Sequence, residues 1–372
     1  MKKTLSVILK ILVYILLFAL GVLLGGLVMS SIVTSDDTNP LLHLALLLVG
    51  FIVVYNLCVV VHEGGHLLFG LLSGYRFSSF RIGSLMLIKR DGKMQLRTLK
   101  LAGTGGQCLM IPPEEREGKI PTVLYNLGGV FANIIFAAIC LVLLLTLPYV
   151  NVLTQLIILA IAFSLLFAIL NGVPMNMGVP NDGANALSLR KNPTAAKALR
   201  LQLLIAADNA AGVPLHQMPA EWFDLGEDAD MTNPLCTAIS VFACNRLMSE
   251  ERIEDANNEM QRLINSGANL VQIHRSLLTA DRIYCTLVLD GKDARIADLY
   301  TPEQKKFMLS MKSNPSIIRT EYTIALIRDK DENAAEKIKQ SFEKRAKSYP
   351  YPQEIISERK LMEIVLEKYK SE

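Results

Sequence analysis

The first half of the chain is built from long uncharged apolar runs separated by polar breaks, and the second half from short amphipathic periods. No Asp, Glu, Lys or Arg falls between Lys10 and Asp36, between Asp37 and Glu63, or between Lys119 and Asp182. A bilayer core about 30 Å thick takes roughly 20 helical residues, so residues 11–33 and 42–72 read as two transmembrane helices. The third run is too long for one helix and breaks at Pro148-Tyr149-Val150-Asn151, which gives spans at 121–147 and 152–173. Lys2-Lys3 ahead of an apolar stretch is also how a signal peptide begins. The run to Val33 outlasts such a signal, however, and no small-x-small cleavage site follows it.

Between the second and third spans the period changes to two. In FSSFRIGSLMLIKRDGKMQLRTLKL, two alternating segments flank Asp91-Gly92, a type I′ hairpin signal, and GTGGQCLM (103–110) reads as a further extended segment. From about residue 195 the period is helical. Candidate helices cover 196–211, 233–248, 251–266, 269–288, 302–312, 315–328, 331–347 and 352–369, bounded by Ser-Gly, Asp-Gly, Asn-Pro and Tyr-Pro punctuation. Helix pairs on short links have the look of an α-solenoid, although no strict repeat period is present. The predicted fold is mainly α: a polytopic membrane protein with about four transmembrane helices, a small β-hairpin insertion at 75–110, and a C-terminal soluble, solenoid-like helical domain. The expected division is 1–190 for the membrane domain and 191–372 for a cytoplasmic helical domain.

Composition agrees: 51% of the 372 residues are hydrophobic and mean hydropathy is +0.33, values of an integral membrane protein. Residues 183–372 carry 26 basic against 27 acidic residues, whereas the rest carries 12 against 8. No basic stripe stands out, so nucleic acid is not an expected partner. The bases in the apolar half lie at the N-terminus, in the loop 75–120 (nine of them) and at Arg190-Lys191, and the loops 34–40 and 148–151 have none. The positive-inside rule then predicts a multi-pass protein of the cell membrane with both termini cytoplasmic. The six cysteines show no CxxC pair and read as small buried hydrophobes.

The candidate chemistry lies near the end of the second span, in His62-Glu63-Gly64-Gly65-His66. Helix positions i and i+4 share a face, so both imidazoles can reach one metal ion, with the glutamate between them. A buried glutamate in a span is costly, which argues against a chance match. Catalytic zinc takes three protein ligands, and the acidic residue bordering the long uncharged region is Asp182, after the broken segment NGVPMNMGVPN. Asp182 is a candidate third ligand, an ordinary cap opening the next helix, or both. His43 lies about five turns away and cannot reach, while His216 and His274 fall in the polar half.

This combination resembles the site-2 protease family of intramembrane zinc metalloproteases over roughly residues 43–190. The resemblance is carried by HExxH within a transmembrane helix, by Gly129-Val-Phe-Ala-Asn133 against the family's Gly-Pro-x-x-Asn, and by Asn171-x-x-Pro174 followed by Asp182-Gly183. Val130 replaces the proline, and about three extra residues separate Pro174 from Asp182. It implies that His62, His66 and Asp182 bind Zn2+, that Glu63 is general base and proton shuttle, that Asn171 helps hold the substrate backbone or the transition state, and that Asn133, also a candidate substrate-binding residue, does similar polar work within the core. It also implies a substrate that is a single-span membrane protein or a membrane-embedded peptide, such as an anchored regulator or a signal-peptide remnant.

Cleaving a transmembrane helix requires unwinding it. The segment with Gly106 and Gln107 is a candidate for pairing with the extended substrate as an added strand, or else it is a plain loop. Two competing functions remain: a non-catalytic membrane scaffold recruiting a partner through the C-terminal helices, and a protease of the prenyl-protein-processing type. The latter needs a downstream Glu-x-x-x-Asp at membrane depth, and no convincing candidate is present.

Overall fold

The computed structural model describes residues 40–371 except 91, 100–103, 116–120, 149–150, 176–179 and 291–294, together with scattered positions between 11 and 29. The span expected at 11–33 therefore lies largely outside the described residues. By contacts the chain divides into two units, residues 1–76 with 121–191 and residues 77–120 with 192–372. The 75–110 insertion, assigned to the membrane part from sequence, thus groups by contacts with the C-terminal helices.

In the first unit, helix α1 (Pro40–Leu72) is followed after the insertion by α2 (Thr122–Thr146), α3 (Asn151–Gly172) and α4 (Asp182–Lys191). Among the described residues three helices are long and apolar enough to cross a membrane, Leu41–Leu72, Thr122–Thr146 and Val152–Gly172. Their outward side chains, including Leu48, Ile52, Ile135 and Val142, are largely exposed, as expected where hydrocarbon is the solvent. Inward, Val54, Cys58, Cys140, Leu159 and Phe163 form one apolar cluster, with Phe51 edge-on to Phe163 at 5.1 Å. The buried His43 Nε2 meets Gln155 Oε1 at 3.1 Å, so this histidine joins α1 to α3 far from the motif. Lower on α1, a Cβ on Gly65 would stand 2.3 Å from the Gly128 carbonyl oxygen, and one on Gly128 2.6 Å from that of Gly65. Backbone meets backbone there, as small residues allow between membrane helices.

In the second unit, β1 (Arg76–Ile82), β2 (Leu85–Arg90), β3 (Lys93–Thr98) and β4 (Gly106–Ile111) form one sheet in the order β3-β2-β1-β4. The expected single hairpin is corrected to four strands. The Asp91-Gly92 turn is where the sequence places it, with Arg90 paired to Lys93. A second tight turn at Gly83, φ 57°, divides the first alternating segment in two, and 106–111 becomes an edge strand. Met86 and Ile88 point inward from β2, fully buried, into the core built by the C-terminal helices. Arg90 donates to the carbonyls of Ala210 (3.1 Å) and Pro350 (2.6 Å), and Thr98 N–H donates to Ser348 O at 3.2 Å.

Those helices are α5 (Pro193–Ala211), α6 (Pro234–Ser249), α7 (Ile253–Asn265), α8 (Gln272–Asp290), α9 (Arg295–Leu299), α10 (Pro302–Ser310), α11 (Pro315–Thr323, continued by a π turn to Arg328), α12 (Glu332–Ala346) and α13 (Pro352–Ser371). Four of them begin with a capping side chain followed by proline at the first helical position: Asn192, Asn233, Thr301 and Asn314. The cap satisfies an orphan N–H, and proline lacks the next one. Helix α8 packs on α7, α10, α11 and α13. In a solenoid each repeat touches only its neighbours, whereas the contacts of α8 reach as far along the chain as α13, so the solenoid expectation is not confirmed.

Candidate metal centre

His62 and His66 sit one turn apart on α1, each 8% exposed, with their Nε2 atoms 3.3 Å apart. Asp182 Oδ2 completes a triangle, 3.2 Å from His62 Nε2 and 3.4 Å from His66 Nε2. A tetrahedral zinc ion with bonds of about 2.0–2.1 Å needs neighbouring donors about 3.4 Å apart. The three atoms therefore fit such an ion, and among the described residues they are the group that could hold one. Two nitrogens and one carboxylate oxygen leave the fourth corner open, as in catalytic rather than structural zinc sites.

Asp182 is held in place by its neighbours. Asn181 Oδ1 accepts from Ala184 N–H (2.9 Å) and Met175 N–H (3.0 Å), and its amide nitrogen donates to the carbonyls of Leu170 and Val173, both at 2.6 Å. One side chain thus caps the start of α4 and ties it to the end of α3. Asn181 N–H also donates to Met175 O at 3.1 Å. These bonds close the chain on either side of 176–179, so the extra residues after Pro174 do not carry Asp182 out of register. Gly183 explains the Asp-Gly pair: a Cβ there would stand 2.2 Å from the Gly172 carbonyl oxygen. The cap is Asn181, and Asp182 is free to face the histidines.

Behind the histidines, His66 Nδ1 lies 2.8 Å from the Tyr125 carbonyl oxygen. A carbonyl only accepts, so Nδ1 carries the proton and Nε2 presents its lone pair to the triangle. His62 Nδ1 lies 3.4 Å from Asn133 Nδ2, and Gly129 faces the His62 ring so closely that a Cβ would stand 2.6 Å from it. Gly129→Ala is expected to turn this imidazole and lower zinc affinity about 10–100-fold, the scale of a lost supporting contact. Zinc competition against a chelator measures it, and unchanged affinity would show that the ring does not need this surface.

Of the other residues singled out by sequence, Glu63 is buried at 9% exposure between the histidines and Asn133 is fully buried on α2. Asn171, in the last turn of α3, donates to the Phe167 carbonyl at 3.0 Å. Gly106 and Gln107 open β4, in the other unit. Asn181 and the Tyr125 carbonyl were not legible as site elements. An Asn ahead of Asp-Gly is a cap signal that could have found the first, but a backbone carbonyl leaves no trace in side-chain chemistry. The second unit has a surface cavity of about 680 Å³ lined by Arg246, Arg252 and Arg262. Each arginine is paired with an acid, Glu250, Asp255 and Glu259 respectively, which leaves little net charge to draw an anion.

The model of Peptidase family M50 matches residues 50–349 of this chain, a stretch that holds both histidines, Glu63 and Asp182. No curated protein and no solved structure matches it.

Proposed function

Because the chain belongs to peptidase family M50, the site-2 protease family, we propose that it is an intramembrane zinc metalloprotease. It cleaves a peptide bond in or near the transmembrane segment of a membrane-anchored regulator or a signal-peptide remnant. The observation that carries this reading is the triangle of His62, His66 and Asp182 at tetrahedral spacing, at the end of a helix of span length.

His62, His66 and Asp182 would hold the ion, which when bound supplies Lewis acidity toward the scissile carbonyl and the attacking water. Glu63 takes the proton of that water and delivers it to the leaving amide nitrogen. Its burial keeps competing solvent away from that proton. Asn171, at the end of α3 next to the segment that carries Asp182, holds the substrate backbone. Gly106 and Gln107 offer the backbone groups of an edge strand, to which an unwound substrate segment can add as a further strand. The protein is multi-pass with both termini cytoplasmic, and its C-terminal helices serve as the docking site for a protein partner.

The test uses the full chain in detergent, with zinc content and cleavage of a single-span substrate measured together. Asp182→Ala is expected to lose zinc by more than the roughly 10–100-fold typical of an outer-sphere residue, and cleavage with it. Chelation of the unsubstituted protein should abolish cleavage, and added zinc should restore it. Zinc retained by Asp182→Ala would remove Asp182 from the site, and cleavage that survives chelation would remove the metalloprotease.

A further inference from the structure

One buried atom of this centre has no hydrogen-bond partner among the described residues: Asn133 Oδ1. Asn133 is fully buried on α2, and its Nδ2 faces His62 Nδ1 at 3.4 Å. The Nε2 of the same ring points into the triangle of candidate ligand atoms. When Nε2 gives its lone pair to a metal, the neutral imidazole must carry its proton on Nδ1. Two donors would then face each other, N–H against NH₂, beside a carbonyl oxygen with nothing to accept. Amide oxygen and nitrogen differ little in shape, and their assignment follows from the hydrogen bonds they make. Turning the Asn133 amide by half a rotation resolves both faults at once.

We infer that Asn133 is a positioning residue of the metal centre: its carbonyl oxygen accepts the proton of His62 Nδ1 and fixes the ring and tautomer that present Nε2 to the ion. The inference rests on the metal-centre reading. It parallels His66, whose Nδ1 faces the Tyr125 carbonyl. Residues 125, 129 and 133 are successive turns of one face of α2. That face gives an acceptor for one histidine, a glycine surface against the ring of the other, and an acceptor for that second ring. A substrate contact by Asn133 is thereby replaced by a contact through His62.

The test is zinc affinity of the full-length protein in detergent, measured by competition with a zinc chelator, so that no substrate is involved. Asn133→Leu keeps the branching of the side chain but removes the acceptor, and is expected to weaken zinc about 10–100-fold. Asn133→Asp keeps an oxygen at the same place and is expected to hold zinc nearly as well as the unsubstituted protein. A role in packing alone would lower the melting temperature of the zinc-free protein as well, so that temperature is read beside the affinity and is expected to change little in Asn133→Ala. If Asn133→Leu does not fold, Asn133→Ala, which fits wherever the amide does, reads the same loss. Affinity unchanged by removing the amide, or weakened as much by Asp as by Leu, overturns the inference. An unsubstituted protein that binds no zinc overturns the metal-centre reading instead.

Discussion

Glu63→Gln is expected to lower cleavage of a single-span substrate by about 10²–10⁴-fold, the usual contribution of a general base, while the bound zinc is unchanged. Glutamine has nearly the shape of glutamate and can still hydrogen bond, but it cannot take a proton at neutral pH. The loss should fall on kcat rather than KM, because proton transfer is made only in the transition state. The candidate ligand atoms, 3.2–3.4 Å apart, come from His62, His66 and Asp182 and not from Glu63, which is why the metal should stay. Equal cleavage by both forms with zinc bound would remove Glu63 as the general base.

The second large effect is expected far from the chemistry. Arg319 on α11 is 1% exposed, bonded to Asp281 on α8 and, at 2.8 Å, to Glu358 on α13, with its guanidinium 4.1 Å from the centre of the Tyr284 ring. Removing one member of a buried ion group strands the others, at a cost of about 3–5 kcal/mol. Arg319→Met should therefore unfold the second unit at much lower temperature, read by Trp222, the one tryptophan of the chain, which lies in that unit. Replacing Asp281 and Glu358 by leucine in the same variant should restore most of the loss. If Arg319→Met alone is harmless, the triad does not join the three helices.

The triad also sets a pH dependence. Burial pushes the Glu358 carboxyl up to about 7, against the pull of Arg319. A carboxyl that binds its proton more tightly folded than unfolded adds stability below its unfolded value of about 4.3, and that contribution disappears as the pH rises through 7. The stability of the unsubstituted protein relative to Glu358→Gln, uncharged throughout, should accordingly fall between pH 5 and 8. A constant difference would show that Glu358 is ionised across the range.

What was legible in the sequence followed from local rules. Spans appeared as uncharged runs, and Asn-Pro and Tyr-Pro pairs placed helix starts to within three residues, because cap and proline act on their own turn. His62 and His66 were legible because helical spacing alone brings them together. The turn at Gly83 was hidden because Leu-Met-Leu-Ile continues the same alternation beyond it, so polarity does not mark the break. Grouping of residues 77–120 with the C-terminal helices depends on contacts such as Arg90 to Pro350, 260 residues apart, and no local pattern encodes those. Asn133 was found in the motif but its orientation was not, since the tautomer of His62 is decided in three dimensions.

The sheet at 76–111 has a consequence for how this chain is made. Its inward side chains, Met86 and Ile88, have as their partners helices that begin at Pro193 and end beyond Pro352. A ribosome adding about 5–20 residues per second needs roughly 12–50 s after making Thr98 before Arg345, 247 residues later, exists to receive it. Within that interval the first unit, complete at Lys191, can assemble while the inward side chains of the sheet wait for their helices. A nascent chain of this design calls for shielding of the sheet until its last helix, α13, has emerged.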